Sequence, residues 1–128
     1  MMSGQDILDQ GAGTTDFVQQ YLHIDWDGTE AQNDKATAAV HSVAGNAVSD
    51  GIGDVAIDHS VLSAAFEDQI TPIAPATPAF TDDSSETDAL TVADGGYKVM
   101  FLGFPLESYG TAAQKADLVD RAFAWFGL

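Results

Sequence analysis

The chain has 128 residues and no cysteine, which suits one domain and excludes disulfides, thiolate zinc sites and a cysteine nucleophile. Its 20 acidic residues stand against only 4 lysines and arginines, so the net charge is −16. This charge repels phosphates and anionic lipid headgroups, which argues against nucleic acid and membrane surfaces as partners.

The first third of the chain predicts a short strand, a helix and an acidic loop. "MMSGQDILDQ" is typical of a strand end followed by a turn at Ser3-Gly4. Residues 14–16 ("TTD") are good N-cap candidates for a helix over "FVQQYLHI". The stretch 25–35 is predicted to be a loop, and 36–45 a strand weakened by its alanines. The predicted apolar helix face consists of Phe17, Val18, Tyr21, Leu22 and Ile24.

The middle of the chain is rich in turn formers and proline. Residues 46–54 predict turns, 55–58 a short strand, and 60–70 one or two helical turns. The next stretch, "TPIAPATPAF", contains Pro72, Pro75 and Pro78. Its backbone is therefore predicted to be extended and to stay out of central strands. The segment "TDDSSETD" (81–88) is predicted to be a solvated acidic turn.

The last third gives the strongest secondary-structure signals. Residues 89–94 and 97–104 flank Gly95-Gly96, which predicts a β-hairpin. The second arm is apolar on both faces, as expected for a strand covered by helices on both sides. A helix is predicted from the cap Thr111 to the stop at Gly127, with an apolar face. That face comprises Leu118, Val119, Ala122, Phe123, Trp125 and Phe126, with the last two interpreted as core rather than as a ligand platform.

These elements predict an α/β fold in which a layered sheet is flanked by helices. The chain is treated as one domain, residues 1–128. Only about three convincing strands are visible, whereas doubly wound sheets usually have five or more. Because Met1 falls inside a predicted strand, we expect the chain to be the C-terminal part of a larger domain, or a sheet completed by a partner chain.

Four segments in this order resemble a known family: "MMSGQDI", "FVQQYLHI", "ITPIAPATPAF" and "GYKVMFLGFPLESYGTAAQKADLVDRAFAWFG". They are similar to the class I glutamine-amidotransferase-like, flavodoxin-like domains of large secreted bacterial and archaeal proteins. The resemblance spans nearly the whole chain and corresponds to the C-terminal part of such a domain. It implies a flavodoxin-like α/β fold.

The resemblance also implies where amidase chemistry would be found, and there this chain departs from the family. Family members have a nucleophile elbow, Gly-x-Cys-x-Gly, and a strand that ends in Gln-Phe-His-Pro-Glu. Here the elbow region begins Ser3-Gly4 without cysteine, and "GFPLE" places Pro105 where the histidine belongs. Only Glu107 matches, and a carboxylate without its base and nucleophile cannot perform acyl transfer.

Two other chemistries are open. Ser3 would be a nucleophile if His23, His41 or His59 acted as its base and Glu107 oriented that base. The plainer interpretation is that Ser3-Gly4 forms a turn and that Glu107 interacts with the start of the last helix, whose dipole favours anions.

The stretch "HIDWDGTEAQND" suggests a calcium loop. It places Asp25, Asp27 and Asp34 at positions 3, 5 and 12 of an EF-hand-type loop, with Gly28 at position 6. His23 occupies position 1, where a carboxylate is wanted, and Asp34 is shorter than the usual glutamate. The alternative is a solvated acidic loop that binds no metal.

The chain is therefore predicted to be a non-catalytic structural or interaction module without a cofactor, other than calcium if the loop binds it. The expected partner is a second copy of the chain or a neighbouring domain, since an open sheet edge invites pairing. The charge favours a saline or extracellular setting, with the cytoplasm of a halophile as the alternative. The N-terminus shows no signal-peptide pattern, and no apolar run reaches the roughly 20 residues of a membrane span.

Overall fold

The structure is a computed structural model that describes residues 1–4, 8, 16–25, 36–61 and 67–128. These residues form an open sheet of six strands and a C-terminal helix, so the protein is a mixed α/β protein. The elements are β1 (Met2–Ser3), β2 (Ala39–Ser42), β3 (Asp54–Ala56), β4 (Thr77–Thr81), β5 (Thr87–Asp94), β6 (Tyr97–Leu102) and α1 (Ala112–Phe126). A π-helical turn lies at Val18–Leu22 and a 3-10 turn at Leu106–Ser108.

The strand order is β1-β6-β5-β4-β2-β3. β1 runs parallel to β6, whereas the other neighbouring strands are antiparallel. The predicted hairpin is confirmed, because β5 and β6 pair from Asp94↔Tyr97 to Ala89↔Leu102. Flavodoxin-like layering needs parallel strands joined by helices. The mainly antiparallel pairing seen in the described part of the sheet does not establish that layering.

The expectation that the proline-rich stretch avoids central strands is wrong, because β4 lies between β5 and β2. Pro78 is paired with Leu90 of β5. On its other side β2 reaches only Phe80 and Thr81, and the Pro78 carbonyl oxygen accepts a hydrogen bond from Asn46 Nδ2 at 2.9 Å. In a strand, the N–H and the carbonyl oxygen of one residue point to the same side, so the N–H that proline lacks would face Asn46. No strand pairs with Pro78 on that side, and the sheet therefore loses no backbone hydrogen bond.

The sheet buries side chains on both faces. Along β6, Met100 and Leu102 join one core cluster, and Phe101 joins the other. The first cluster includes Leu118 and Ala122 of α1. The second includes Val18, Leu22 and Ile24 from the segment 16–25. The prediction that β6 is buried on both faces is thus confirmed for its second half.

Helix α1 begins and ends where the sequence predicts. The Thr111 side chain accepts a hydrogen bond from the Gln114 N–H, and the Gln114 side chain bonds back to the Thr111 N–H, which is a capping box. Gly127 ends the helix in the left-handed region, at φ 90°. The buried stripe is narrower than predicted, since Phe123 is exposed and Trp125 and Phe126 are only partly buried. None of the described helices is long and apolar enough to cross a membrane.

Candidate functional site

The stretch "FLGFPLES" joins β6 to α1 and is held against β1. Ser3 Oγ donates a hydrogen bond to the Phe104 carbonyl oxygen at 2.9 Å and accepts one from the Leu106 N–H at 2.7 Å. Gly103 is required for close packing, because a Cβ there would lie 2.5 Å from the backbone oxygen of Asp68. The Ser3 hydroxyl proton is therefore directed to a main-chain carbonyl, and its described contacts are those of a clamp between two chain segments.

Glu107 lies in the exposed part of this junction. Its main-chain carbonyl oxygen accepts a hydrogen bond from Lys115 Nζ, while the start of α1 is capped by Thr111. The N-cap of α1 is therefore Thr111 and not Glu107, whereas an interaction of the Glu107 carboxylate with the start of the helix stays a prediction.

The histidines occupy separate places. His23 Nε2 lies 2.9 Å from the Tyr97 hydroxyl. His41 lies between two carboxylates of the surface, and His59 lies between Glu67 Oε1 at 3.3 Å and the Thr37 carbonyl oxygen at 2.7 Å. In the described parts of the chain, no hydrogen bond or ion pair joins a histidine to Ser3 or Glu107. The structure thus brings Ser3 to the junction beside Glu107 without bringing a base to either.

The predicted calcium loop is described only in part. Asp25 lies next to the bridge between Ile24 and Pro72, and its N–H donates to the Thr71 carbonyl oxygen at 2.8 Å. Asp27 and Asp34 lie outside the described residues. Within the described ranges, no group of three or more histidine and acidic side chains has the geometry of a metal site.

Buried carboxyl groups are a feature that the sequence did not reveal. The stretch 81–88 is predicted to be a solvated acidic turn, yet Asp82 and Asp88 are both buried. Asp82 Oδ1 accepts hydrogen bonds from the N–H groups of Ser84 and Glu86, each at 2.8 Å, and thereby closes the turn between β4 and β5. Asp88 is the second residue of β5, and its side chain lies in the protein interior. The sequence feature that could have indicated the burial of Asp88 is its position directly before the apolar run "ALTVA".

A cluster of exposed aromatic rings is the most distinctive surface feature. The turn Val18–Leu22 directs Val18 and Leu22 inward, whereas Phe17 and Tyr21 are 49% and 52% exposed. The prediction that these four residues share one apolar face is therefore wrong. Residues four positions apart lie on the same face of a helical turn, so Phe17 and Tyr21 share an exposed face and Val18 and Leu22 share the adjacent buried one. The Phe17 and Tyr21 rings stack at 5.9 Å, and Tyr21 contacts Tyr97 at the same centroid distance.

Hydrogen bonds hold the third ring in place. The Tyr97 hydroxyl donates to the Gln20 carbonyl oxygen at 3.3 Å and is hydrogen-bonded to His23 Nε2 at 2.9 Å. The same Nε2 lies 3.7 Å from Asp94 Oδ2. Desolvation and the negative charge of Asp94 raise the pKa of the Tyr97 phenol. The ring is therefore a neutral hydrogen-bonding group whose orientation is set from two sides.

A cavity of about 420 Å³ adjoins these rings at the β5–β6 turn. Its lining residues are Ala93, Asp94, Gly95, Gly96, Tyr97, Lys98 and Phe126. Lys98 Nζ donates to the Trp125 carbonyl oxygen and lies 5.1 Å from the centroid of the Trp125 ring. Tyr97 belongs to both the cavity and the ring cluster. We call the combined surface of Phe17, Tyr21, His23 and the cavity lining the hairpin face.

Comparison of the chain with models of known protein families and with curated proteins finds no match. The geometry of the described residues is therefore the basis for the functional assignment.

Proposed function

We propose that this chain is a non-catalytic interaction module that binds its partner through the hairpin face. The observation that carries the proposal is the stack of half-exposed aromatic rings, Phe17 and Tyr21 against Tyr97. Aromatic side chains dominate binding energetics because each removes a large apolar area from water when it is covered.

The hairpin face is also preorganised. The Tyr97 hydroxyl is hydrogen-bonded to the Gln20 carbonyl oxygen and to His23, the residue that ends the helical turn Val18–Leu22. His23 has a left-handed backbone at φ 54°, a conformation that is uncommon for residues other than glycine. A surface that is ordered before binding loses less conformational entropy when a partner arrives.

An amidotransferase-like origin is part of the proposal. The parallel pairing of β1 with β6 and the contact of Ser3 with the "GFPLE" junction support it. In the resemblance, the elbow follows a strand and the second motif ends a strand. The hydrogen bond from Ser3 Oγ to a carbonyl oxygen supports a structural role for that residue in place of a nucleophilic one.

The same proposal includes the setting and the partner. The charge of −16 supports a saline or extracellular environment. β1 has only two residues and lies at one end of the strand order. A second copy or a neighbouring domain would extend the sheet at that end.

Reactivity towards a serine-directed phosphonate tests the non-catalytic assignment against the hydrolase that would use Ser3 with a histidine and Glu107. We expect intact-mass spectrometry to show folded, unlabelled protein, with the Ser3→Ala variant giving the same result. Stoichiometric labelling of the wild type that is absent from Ser3→Ala would establish the hydrolase and refute the proposal.

A further inference from the structure

We infer that the ligand of the hairpin face is a basic peptide segment, whose arginine or lysine side chains lie on the aromatic rings and reach Asp94. This inference rests on the proposed function and names the chemistry of the partner. It follows from three properties of the face: its charge, its aromatic composition and its length.

The charge of the chain selects cations. With 20 acidic residues against 4 basic ones, the protein attracts cationic partners over the range that salt leaves unscreened and repels anionic ones. At the hairpin face the carboxylate of Asp94 is 48% exposed and lines the cavity. Lys98 lines the same cavity, but its ammonium group is bonded to the C-terminal end of α1. Asp94 therefore supplies an accessible negative charge beside the rings.

The rings provide the second component of cation recognition. A guanidinium or ammonium group is attracted to the face of an aromatic ring, and the attraction grows when solvent is excluded. The protein already contains one such contact, between Lys98 and Trp125. Tyr97 contacts Tyr21 and is paired with Asp94 across the hairpin, so one cationic side chain can lie on a ring while its charge faces the carboxylate.

The length of the face favours a peptide over a small cation. Two successive centroid distances of 5.9 Å separate Phe17, Tyr21 and Tyr97, and the cavity continues beyond Tyr97. Side chains i and i+2 of an extended peptide are about 7 Å apart on the same side. Alternate basic residues of an extended segment would therefore place one side chain on the ring stack and the next in the cavity.

The test uses a defined peptide, acetyl-Gly-Arg-Gly-Arg-Gly-amide, and its citrulline analogue, which keeps the shape and loses the charge. Isothermal titration at about 0.15 M salt, where charges are screened beyond roughly 8 Å, gives the dissociation constants. We expect the arginine peptide to bind and the citrulline peptide to bind at least about tenfold more weakly. Tyr21→Ala and Asp94→Asn should each weaken arginine-peptide binding by about fivefold to tenfold.

Matched variants separate the site from the overall charge. Glu107→Gln removes the same charge as Asp94→Asn but lies beyond the opposite end of β6, and Phe123→Ala removes an exposed ring that does not line the cavity. We expect both controls to bind like the wild type. Thermal unfolding of every variant checks that the fold is intact.

Four results would overturn the inference. Equal loss of binding in Glu107→Gln and Asp94→Asn would indicate general attraction to the acidic surface. Equal affinity for the citrulline peptide would indicate a neutral ligand, and self-association that is lost in Tyr21→Ala would make a second copy the occupant. If the arginine peptide does not bind and the phosphonate leaves Ser3 unlabelled, this inference alone is refuted. If the phosphonate labels Ser3, the proposed function itself is refuted.

Discussion

Replacement of Asp88 by asparagine should stabilise the protein at neutral pH. The Asp88 side chain is buried, with the residue only 1% exposed, and neither carboxyl oxygen has a hydrogen-bond partner among the described residues. Burial, and then the negative charges of Asp82 and Glu67, raise its pKa from the usual 3.8 to about 8. The folded chain therefore holds a proton near neutral pH that the unfolded chain releases.

The size of the effect follows from proton linkage. Because the folded pKa is raised, the contribution of Asp88 to stability is fully present below about pH 4 and is lost as the pH rises towards 8. The slope is about 1.4 kcal/mol per pH unit, so the loss at pH 7 is roughly 4 kcal/mol. Asparagine has nearly the same shape and does not ionise. We therefore expect Asp88→Asn to unfold at about the same denaturant concentration as the wild type near pH 4 and to be more stable by up to that amount at pH 7.

Urea unfolding measured between pH 4 and pH 8 at constant ionic strength gives the free energy of unfolding for each protein. Asp120→Asn, which removes an exposed carboxylate of α1, is the matched control and should follow the pH dependence of the wild type. Parallel curves for Asp88→Asn and wild type across the whole range would refute the reasoning, because they would mean that Asp88 binds protons equally in both states.

Both ring nitrogens of His41 lie 2.9 Å from carboxylate oxygens, those of Asp54 and Asp83, and both nitrogens donate when the ring is protonated. These hydrogen bonds raise the pKa of His41 above 6.5. The stability that protonated His41 contributes is therefore lost as the pH rises through that raised pKa. An NMR titration should give a midpoint above 6.5 that falls in Asp83→Asn, and a midpoint at or below 6.5 in the wild type would contradict this. Thr111→Ala should lower the free energy of unfolding by about 1 kcal/mol, with Thr111→Ser near wild type, since only alanine lacks the capping oxygen. Sedimentation velocity should show a dimer, and a monomer at all concentrations would exclude pairing at the β1 edge. If the acidic loop binds calcium, the melting temperature should rise with calcium and the rise should vanish in the Asp25→Asn, Asp27→Asn double variant; an unchanged melting temperature would reject the calcium hypothesis.

The features predicted correctly from the sequence are those that depend on neighbouring residues. The turn at Gly95-Gly96 between apolar runs predicts the hairpin, because both glycines adopt a positive φ, at 53° and 119°. Thr111 and Gly127 likewise predict α1 correctly, because the residues that cap a helix lie within one turn of its ends.

The errors arise where distant residues decide the outcome. Pro78 was excluded from central strands by a rule about its own N–H, yet β2 diverges at that point and the Asn46 side chain occupies the place of a neighbouring strand. The acidic residues before Asp88 predict that it is solvated, whereas it is the second residue of a strand in which it and the four residues after it are buried.

The sequence by itself determined the β-hairpin, the C-terminal helix, the strongly acidic character and the absence of a cysteine nucleophile, because each depends on residue identity or on near neighbours. Only the tertiary structure decided which aromatic rings remain exposed and which carboxyl groups are buried. The Tyr97 hydroxyl and His23 are 74 positions apart, and their hydrogen bond orients the ring on which the hairpin face depends. Such a contact exists only after the sheet has brought β6 beside the segment 16–25, so no local pattern could reveal it.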